Sequence, residues 1–283
     1  MLSVENQLTE TVDYIAMPHV AAVQTSDIQD PPQSHSMAYN GLFLRLMLLV
    51  MIFSIVILGS QLHWRDDPVH ENDPLNSVFK VLNCIFKQEG WSITLVVWLF
   101  LLAAKYTRQV SLQENASWRR HAVVDAVLLV LFWGYWFYVT NLVFPMVADN
   151  IGECAGSSVP SSQQLSREDC ENTFKGQWTP FDISGHVFLA AMGIFILVEE
   201  IIRAISSPAA HFTFPVHLVD RKVQFARIGW AVAVSCALVV ILAWTILLVR
   251  TSLWFHTIEE KILGAIIGTG FWLLELTVRL VCR

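Results

Sequence analysis

Apolar residues gather into six runs separated by polar stretches, at about Gly41–Ser60, Trp91–Tyr106, Val123–Val147, Ile183–Ile202, Ile228–Val249 and Ile262–Val281. Each approaches the roughly 20 residues that an α-helix needs to cross a bilayer. The second run, WSITLVVWLFLLAAKY, is the shortest and needs its flanks to reach that length. Only helices and closed barrels satisfy the backbone in lipid, and these runs are too long and continuous for barrel strands. The pattern therefore predicts an all-α polytopic membrane protein with six transmembrane helices. Residues 1–40, with QTSDIQDPPQSHSM, carry no sustained period and predict a mobile tail. No positive n-region with a short apolar core and cleavage site precedes the first run, so that run is expected to stay as an anchor.

Composition agrees: 54% of residues are hydrophobic and only 15% charged, outside ordinary usage for a soluble domain. The net charge is −6, and no nucleic-acid partner is expected. Where the charges fall says more than their sum. Lys105, Arg108, Arg119 and Arg120 separate spans two and three, Arg203, Arg221, Lys222 and Arg227 separate spans four and five, and Arg279 and Arg283 close the chain. Acidic residues take the alternate loops: Asp66, Asp67, Glu71 and Asp73, then Asp149, Glu153, Glu168, Asp169 and Glu171. By the positive-inside rule, both termini and the basic loops are expected in the cytosol. The loops at about 61–90, 148–182 and 250–261 are expected on the lumenal or exterior face.

Cys154 and Cys170 share the long non-cytosolic loop, where a disulfide is permitted, with Cys84 a competitor on the same side. Cys236 and Cys282 read as small buried hydrophobes. The sequon Asn115-Ala116-Ser117 falls on the cytosolic side and is expected to be unmodified.

The candidate chemistry lies at two span edges. FDISGHVF, Phe181 to Phe188, puts Asp182, Ser184, Gly185 and His186 where a polar loop meets an apolar run, and VRTSLWFHTIEEKILG puts Arg250, His256 and Glu260 at another. Counting spans from the charge pattern places His186 and His256 on the same side. Glu260 follows His256 by one helical turn, where a carboxylate fixes an imidazole tautomer. Phosphoryl transfer through histidine needs a nucleophilic imidazole, an acid for the leaving oxygen, and donors for phosphate oxygens. His256, His186 and Arg250 supply these types. Ser184 and the amides around Gly185 add donors at a helix start, where the dipole favours an anion.

These residues resemble the lipid phosphate phosphatase superfamily, whose motifs include P-S-G-H and S-R-x5-H-x3-D. Here they read Ile183-Ser184-Gly185-His186, with isoleucine for proline, and Val249-Arg250, His256 and Glu260, with glutamate for aspartate. FDISGHVFLAAMGIFILVEE and TSLWFHTIEEKILGAIIG, with six spans and a cytosolic N-terminus, resemble more closely the fat-storage-inducing transmembrane (FIT) family. The resemblance implies a lipid phosphate phosphatase-like helical bundle over residues 41–283. It also implies an endoplasmic reticulum enzyme with a lumenal active site that cleaves fatty acyl-CoA to acyl 4′-phosphopantetheine and adenosine 3′,5′-bisphosphate, supporting lipid droplet formation and lipid balance. His256 then matches the nucleophile and His186 the acid for the leaving group. No cofactor or metal is implied.

The superfamily's K-x6-R-P phosphate motif has no match. Arg250, Lys80, Lys87 and Lys261 are the basic residues on the expected side, and spacing selects none of them. That gap counts against a lipid phosphate monoester phosphatase. The non-enzymatic alternative is a bilayer organiser that binds diacylglycerol or triacylglycerol. Of the other polar residues, Glu199 and Glu200 lie roughly 20 Å from His186 by helical rise and are expected to pair with Arg203 or Arg45. Arg45, Asp125 and Glu275 are expected to snorkel or to pair with one another. Asn141 and Pro145 are expected to bend the third span, LFWGYWFY to pack or belt the membrane surface, and Gly264, Gly268 and Gly270 to permit close helix packing.

Overall fold

The computed structural model describes residues 34–62, 74–111, 117–155, 166–205 and 221–282. Most of the expected tail, the acidic residues Asp66, Asp67, Glu71 and Asp73, the sequon Asn115, and His63, His70, His211 and His217 lie outside the described residues.

Each apolar run becomes a helix: α1 (Ser34–Gln61), α2 (Pro74–Ser111), α3 (Ser117–Tyr138) continued by a short α4 (Phe144–Asn150), α5 (Gly185–Ile205), α6 (Arg221–Trp254) and α7 (Ile258–Val281). Five stretches are long and apolar enough to cross a membrane: Gly41–Gln61, Ser77–Val110, Arg119–Asn150, Val223–Trp254 and Ile258–Val281. The expected fourth span corresponds to α5, which is not among those five. Its buried positions run almost without interruption from Val187 to Leu197, so the helix is enclosed by its neighbours rather than amphipathic.

One expectation about the loops needs correction. Residues 74–90 are helix rather than lumenal loop, because no proline or paired glycine interrupts the chain between Pro74 and Ser111. Proline at the first position only starts a helix. Within the loop expected at about 148–182, β1 (Gly152–Ala155) and β2 (Gln177–Pro180) form an antiparallel hairpin with Cys154 opposite Trp178. Trp178 Nε1 donates to the Ala148 carbonyl at 3.0 Å, and a Cys154–Cys170 disulfide closes the loop. With its cysteines 16 positions apart in the chain, that bond contributes about 3 kcal/mol in the chain-entropy account. Reduction is expected to speed hydrogen exchange at Gly152–Ala155 and Gln177–Pro180 while α5 stays protected, as peptide-resolved exchange with and without dithiothreitol would read.

Close packing around α5 rests on small residues. A Cβ at Gly264 would lie 2.7 Å from the Ser184 carbonyl oxygen, and one at Gly268 would lie 2.5 Å from that of Phe188. Both glycines therefore let α7 touch the backbone of α5. On the other side Trp244 fills the core of the bundle, its Nε1 donating to Thr94 Oγ1 at 2.9 Å. Between α3 and α4, a π-helical turn at Val139–Val143 precedes Pro145, whose missing N–H leaves the carbonyl four residues back without its usual donor. The resulting offset sets Phe144 against Phe188, ring centroids 5.4 Å apart, beside the start of α5.

At the far end of α5 four cations meet four carboxylates. Arg45 holds Glu199 in a two-pronged contact of 2.7 and 2.6 Å, and Lys105 bridges Asp125 and Glu200 at 2.8 and 2.7 Å. Arg203 reaches Glu200 at 3.1 Å and also Glu275, while Arg279 reaches Asp125 at 2.6 Å and Glu275 at 3.1 Å. Glu199 and Glu200 thus pair with Arg45 and Arg203 as expected, whereas Arg45, Asp125 and Glu275 pair not with one another but through Glu199, Lys105, Arg203 and Arg279, in a network joining α1, α2, α3, α5 and α7.

Candidate active site

The hairpin delivers the chain to the start of α5, and the α6–α7 turn meets it there. Phe181 N–H donates to the Ile151 carbonyl at 2.8 Å, which leaves Asp182 as the first residue free of the hairpin. Ser184 then occupies the N-cap position, its carbonyl accepting from Phe188 N–H at 3.0 Å. The N–H groups of Gly185, His186 and Val187 are first-turn donors with no partner inside the helix. Ser184 Oγ is fully buried and makes no hydrogen bond, although capping by serine is the usual use of that atom.

Opposite this helix start, α6 ends at Trp254 and α7 begins at Ile258. The turn is tight enough to hold His256 at φ 62°, a left-handed conformation uncommon for a residue with a β-carbon. Thr257 caps α7 in a reciprocal box with Glu260. Glu260 does three things. Its Oε2 accepts from Thr257 N–H and its Oε1 from Asp182 N–H, each at 2.8 Å. The same Oε2 lies 3.5 Å from His256 Nδ1. Its backbone carbonyl also accepts from Ser184 N–H at 3.2 Å. One residue thus fixes both histidine-bearing segments and faces the His256 imidazole. Asp182 adds a second carboxylate 3.8 Å from the same nitrogen, so Nδ1 is the guarded nitrogen of His256 and Nε2 the available one.

His186 and His256, separated by 70 positions in the chain, line a single cavity of about 340 Å³ together with Asp182, Gly185 and Lys87. Phe86, Ile183 and Leu189 give it an apolar wall. A Cβ at Gly185 would meet only Phe144, at 3.9 Å, so glycine here leaves the helix start open rather than serving helix packing. His186 Nε2 is buried without a hydrogen-bond partner. A buried polar atom left unpaired costs about 1–3 kcal/mol.

Ser184 and Glu260 do not line the cavity but lie next to residues that do. Arg250 is drawn away from it, its guanidinium 5.1 Å from the Phe79 ring and 5.2 Å from the Trp254 ring. Lys261 is buried, donating to the Ser252 carbonyl at 2.7 Å and to Ser60 Oγ at 3.2 Å. Of the basic residues considered from sequence, Lys87 alone lines the cavity. Helical phase was the missing signal: Phe86 and Lys87 precede the second apolar run and read as loop until α2 is known to begin at Pro74. The Thr257-x-x-Glu260 box was legible and overlooked.

Glu260→Gln is expected to lower kcat/KM about 10- to 100-fold, because an amide presents one acceptor where two backbone N–H groups need one each. Steady-state kinetics beside a melting curve checks whether the loss exceeds any unfolding.

Bundle and cavity together define a multi-pass helical membrane protein with a paired-histidine site at one end of a buried central helix. A family model described as "Fat storage-inducing transmembrane protein" matches residues 76–274, and the chain belongs to that family. It is 25% identical over 224 residues to a Xenopus tropicalis protein named acyl-coenzyme A diphosphatase FITM2, covering 78% of each chain. Proteins of the same name are 25% identical in Danio rerio, over 81% of this chain and 82% of that one, and 21% identical in Homo sapiens, over 70% of each. No solved structure matches.

Proposed function

We propose that the chain hydrolyses the diphosphate of fatty acyl-CoA, as the names of its relatives say of them, and that it does so through a phosphohistidine. The observation that carries this reading is the convergence of His186, His256 and the open start of α5 on one cavity. A diphosphate phosphoryl group sits at the N-terminus of α5, its non-bridging oxygens taking the amides of the first turn. His256 Nε2 attacks that phosphorus. The bond to the bridging oxygen breaks as His186 donates a proton to it, and one product leaves with its phosphoryl group while the other half stays on His256. Water then hydrolyses the phosphohistidine, giving its proton to His186 and restoring His256. The sum is acyl-CoA plus water to acyl 4′-phosphopantetheine plus adenosine 3′,5′-bisphosphate.

Glu260 supports the imidazolium that develops on His256 and holds its orientation. The charge pattern supports a lumenal active site with cytosolic termini, in the endoplasmic reticulum membrane. The Cys154–Cys170 bond fits an oxidising compartment. The cellular consequence is support of lipid droplet formation. Purified protein in detergent, given oleoyl-CoA and followed by mass spectrometry, is expected to release both products in equal amounts. Release of free CoA and oleate, or no turnover, would overturn the reading in favour of another substrate or a diacylglycerol- or triacylglycerol-binding organiser.

A further inference from the structure

We propose that the cavity selects substrates by the charge on the reacting phosphoryl group, with Lys87 as the attracting cation and Asp182 as the excluding anion. The proposal rests on the diphosphatase reading and concerns which phosphate class that site accepts.

Among the described cavity residues, Lys87 is the one lysine or arginine. It is exposed and forms no ion pair with any described residue, so its charge is available to a ligand. Arg250 and Lys261 are committed elsewhere, the first against Phe79 and Trp254 and the second between Ser252 and Ser60. On the opposing side, the Asp182 side chain is 75% exposed and stands 3.8 Å from His256 Nδ1. Its backbone N–H is held by Glu260, which keeps this residue beside the His256 turn. Beside the attacking histidine, then, stand a lysine and a carboxylate rather than a cluster of cations.

A phosphoryl group within a diphosphate diester carries one negative charge, whereas a phosphate monoester such as phosphatidate carries about −1.5 to −2 near neutral pH. One lysine and the first-turn amides of α5 balance the former. The second charge of a monoester has no further cation to meet and lies on the same side as Asp182, and like charges brought together disfavour binding. The apolar wall of Phe86 and Leu189 offers that charge no further donor.

The test measures kcat/KM for oleoyl-CoA and for phosphatidate, in the same detergent, for wild type, Asp182→Asn, Lys87→Met and Lys87→Arg. Asp182→Asn is expected to raise the phosphatidate to oleoyl-CoA ratio about fivefold or more, since one charge a few ångströms away is removed. Lys87→Met is expected to lower oleoyl-CoA turnover at least about tenfold, chiefly through KM, with partial rescue by Lys87→Arg. A purely structural role for this exposed side chain predicts neither the KM effect nor the rescue. An unchanged ratio in Asp182→Asn, or wild-type kinetics in Lys87→Met, overturns the proposal while wild-type turnover of oleoyl-CoA keeps the diphosphatase reading. Absence of that turnover in wild type removes both.

Discussion

His256→Ala is expected to abolish oleoyl-CoA hydrolysis, and His186→Ala to reduce it about 10²- to 10⁴-fold, the range a positioned general acid contributes. The two losses differ in kind. Without His256 no imidazole faces the phosphorus, and its neighbours Asp182 and Glu260, 3.8 and 3.5 Å from Nδ1, are carboxylates that support that ring rather than replace it. Without His186 the attack remains possible but the departing oxygen leaves unprotonated. An ester with a good leaving group, such as a p-nitrophenyl phosphoester, needs no such proton, so on it His186→Ala should lose far less than His256→Ala. Rapid quench with substrate labelled at the diphosphate should trap an acid-labile, base-stable adduct in wild type and none in His256→Ala. Equal losses for both variants on both substrates would sink this division of roles. Both variants are expected to melt near wild type, since His256 lies in a turn and His186 Nε2 makes no protein hydrogen bond.

The helices were legible because lipid leaves a chain few choices: each apolar run had to satisfy its own backbone. The ends of those helices were less legible. α2 extends through Lys80 and Lys87 because nothing stops it, and hydropathy registers only where the apolar part lies. His186 and His256 were brought to one side by counting spans, and Glu260 to His256 by helical spacing. Arg250 was assigned to phosphate on residue type alone. Its rings, Phe79 and Trp254, come from two helices, and contact with Phe79 depends on how α2 packs against α6. No spacing rule reports that. Two cysteines in one loop made the disulfide possible with Cys84 as a competitor, whereas the hairpin that sets its geometry is four residues per strand, too short for alternation to announce itself.

Glu200→Ala is expected to destabilise the protein by about 3–5 kcal/mol, seen as a fall of roughly 10 °C in apparent Tm in detergent. The reason is not that ion pairs are strong. Removing water from charges costs about as much as pairing them returns, so an intact buried pair contributes little net stability. Breaking one is a different matter. Glu200 is fully buried and contacts Lys105, Arg203 and Arg279, so its loss leaves an excess positive charge among helices that exclude solvent. By the same reasoning, Arg45→Met combined with Glu199→Leu should cost less than Glu199→Ala alone, because the pair leaves together. Glu171→Ala is the control: its partner Arg167 is exposed, and no measurable change in Tm is expected. Glu200 lies 14 residues along α5 from His186, about 21 Å at the rise of an α-helix. If the network is a scaffold, Glu200→Ala assayed well below its melting point should keep wild-type kcat. A large fall in kcat with Tm unchanged would mean instead that charge at this end of α5 acts on the chemistry at the other.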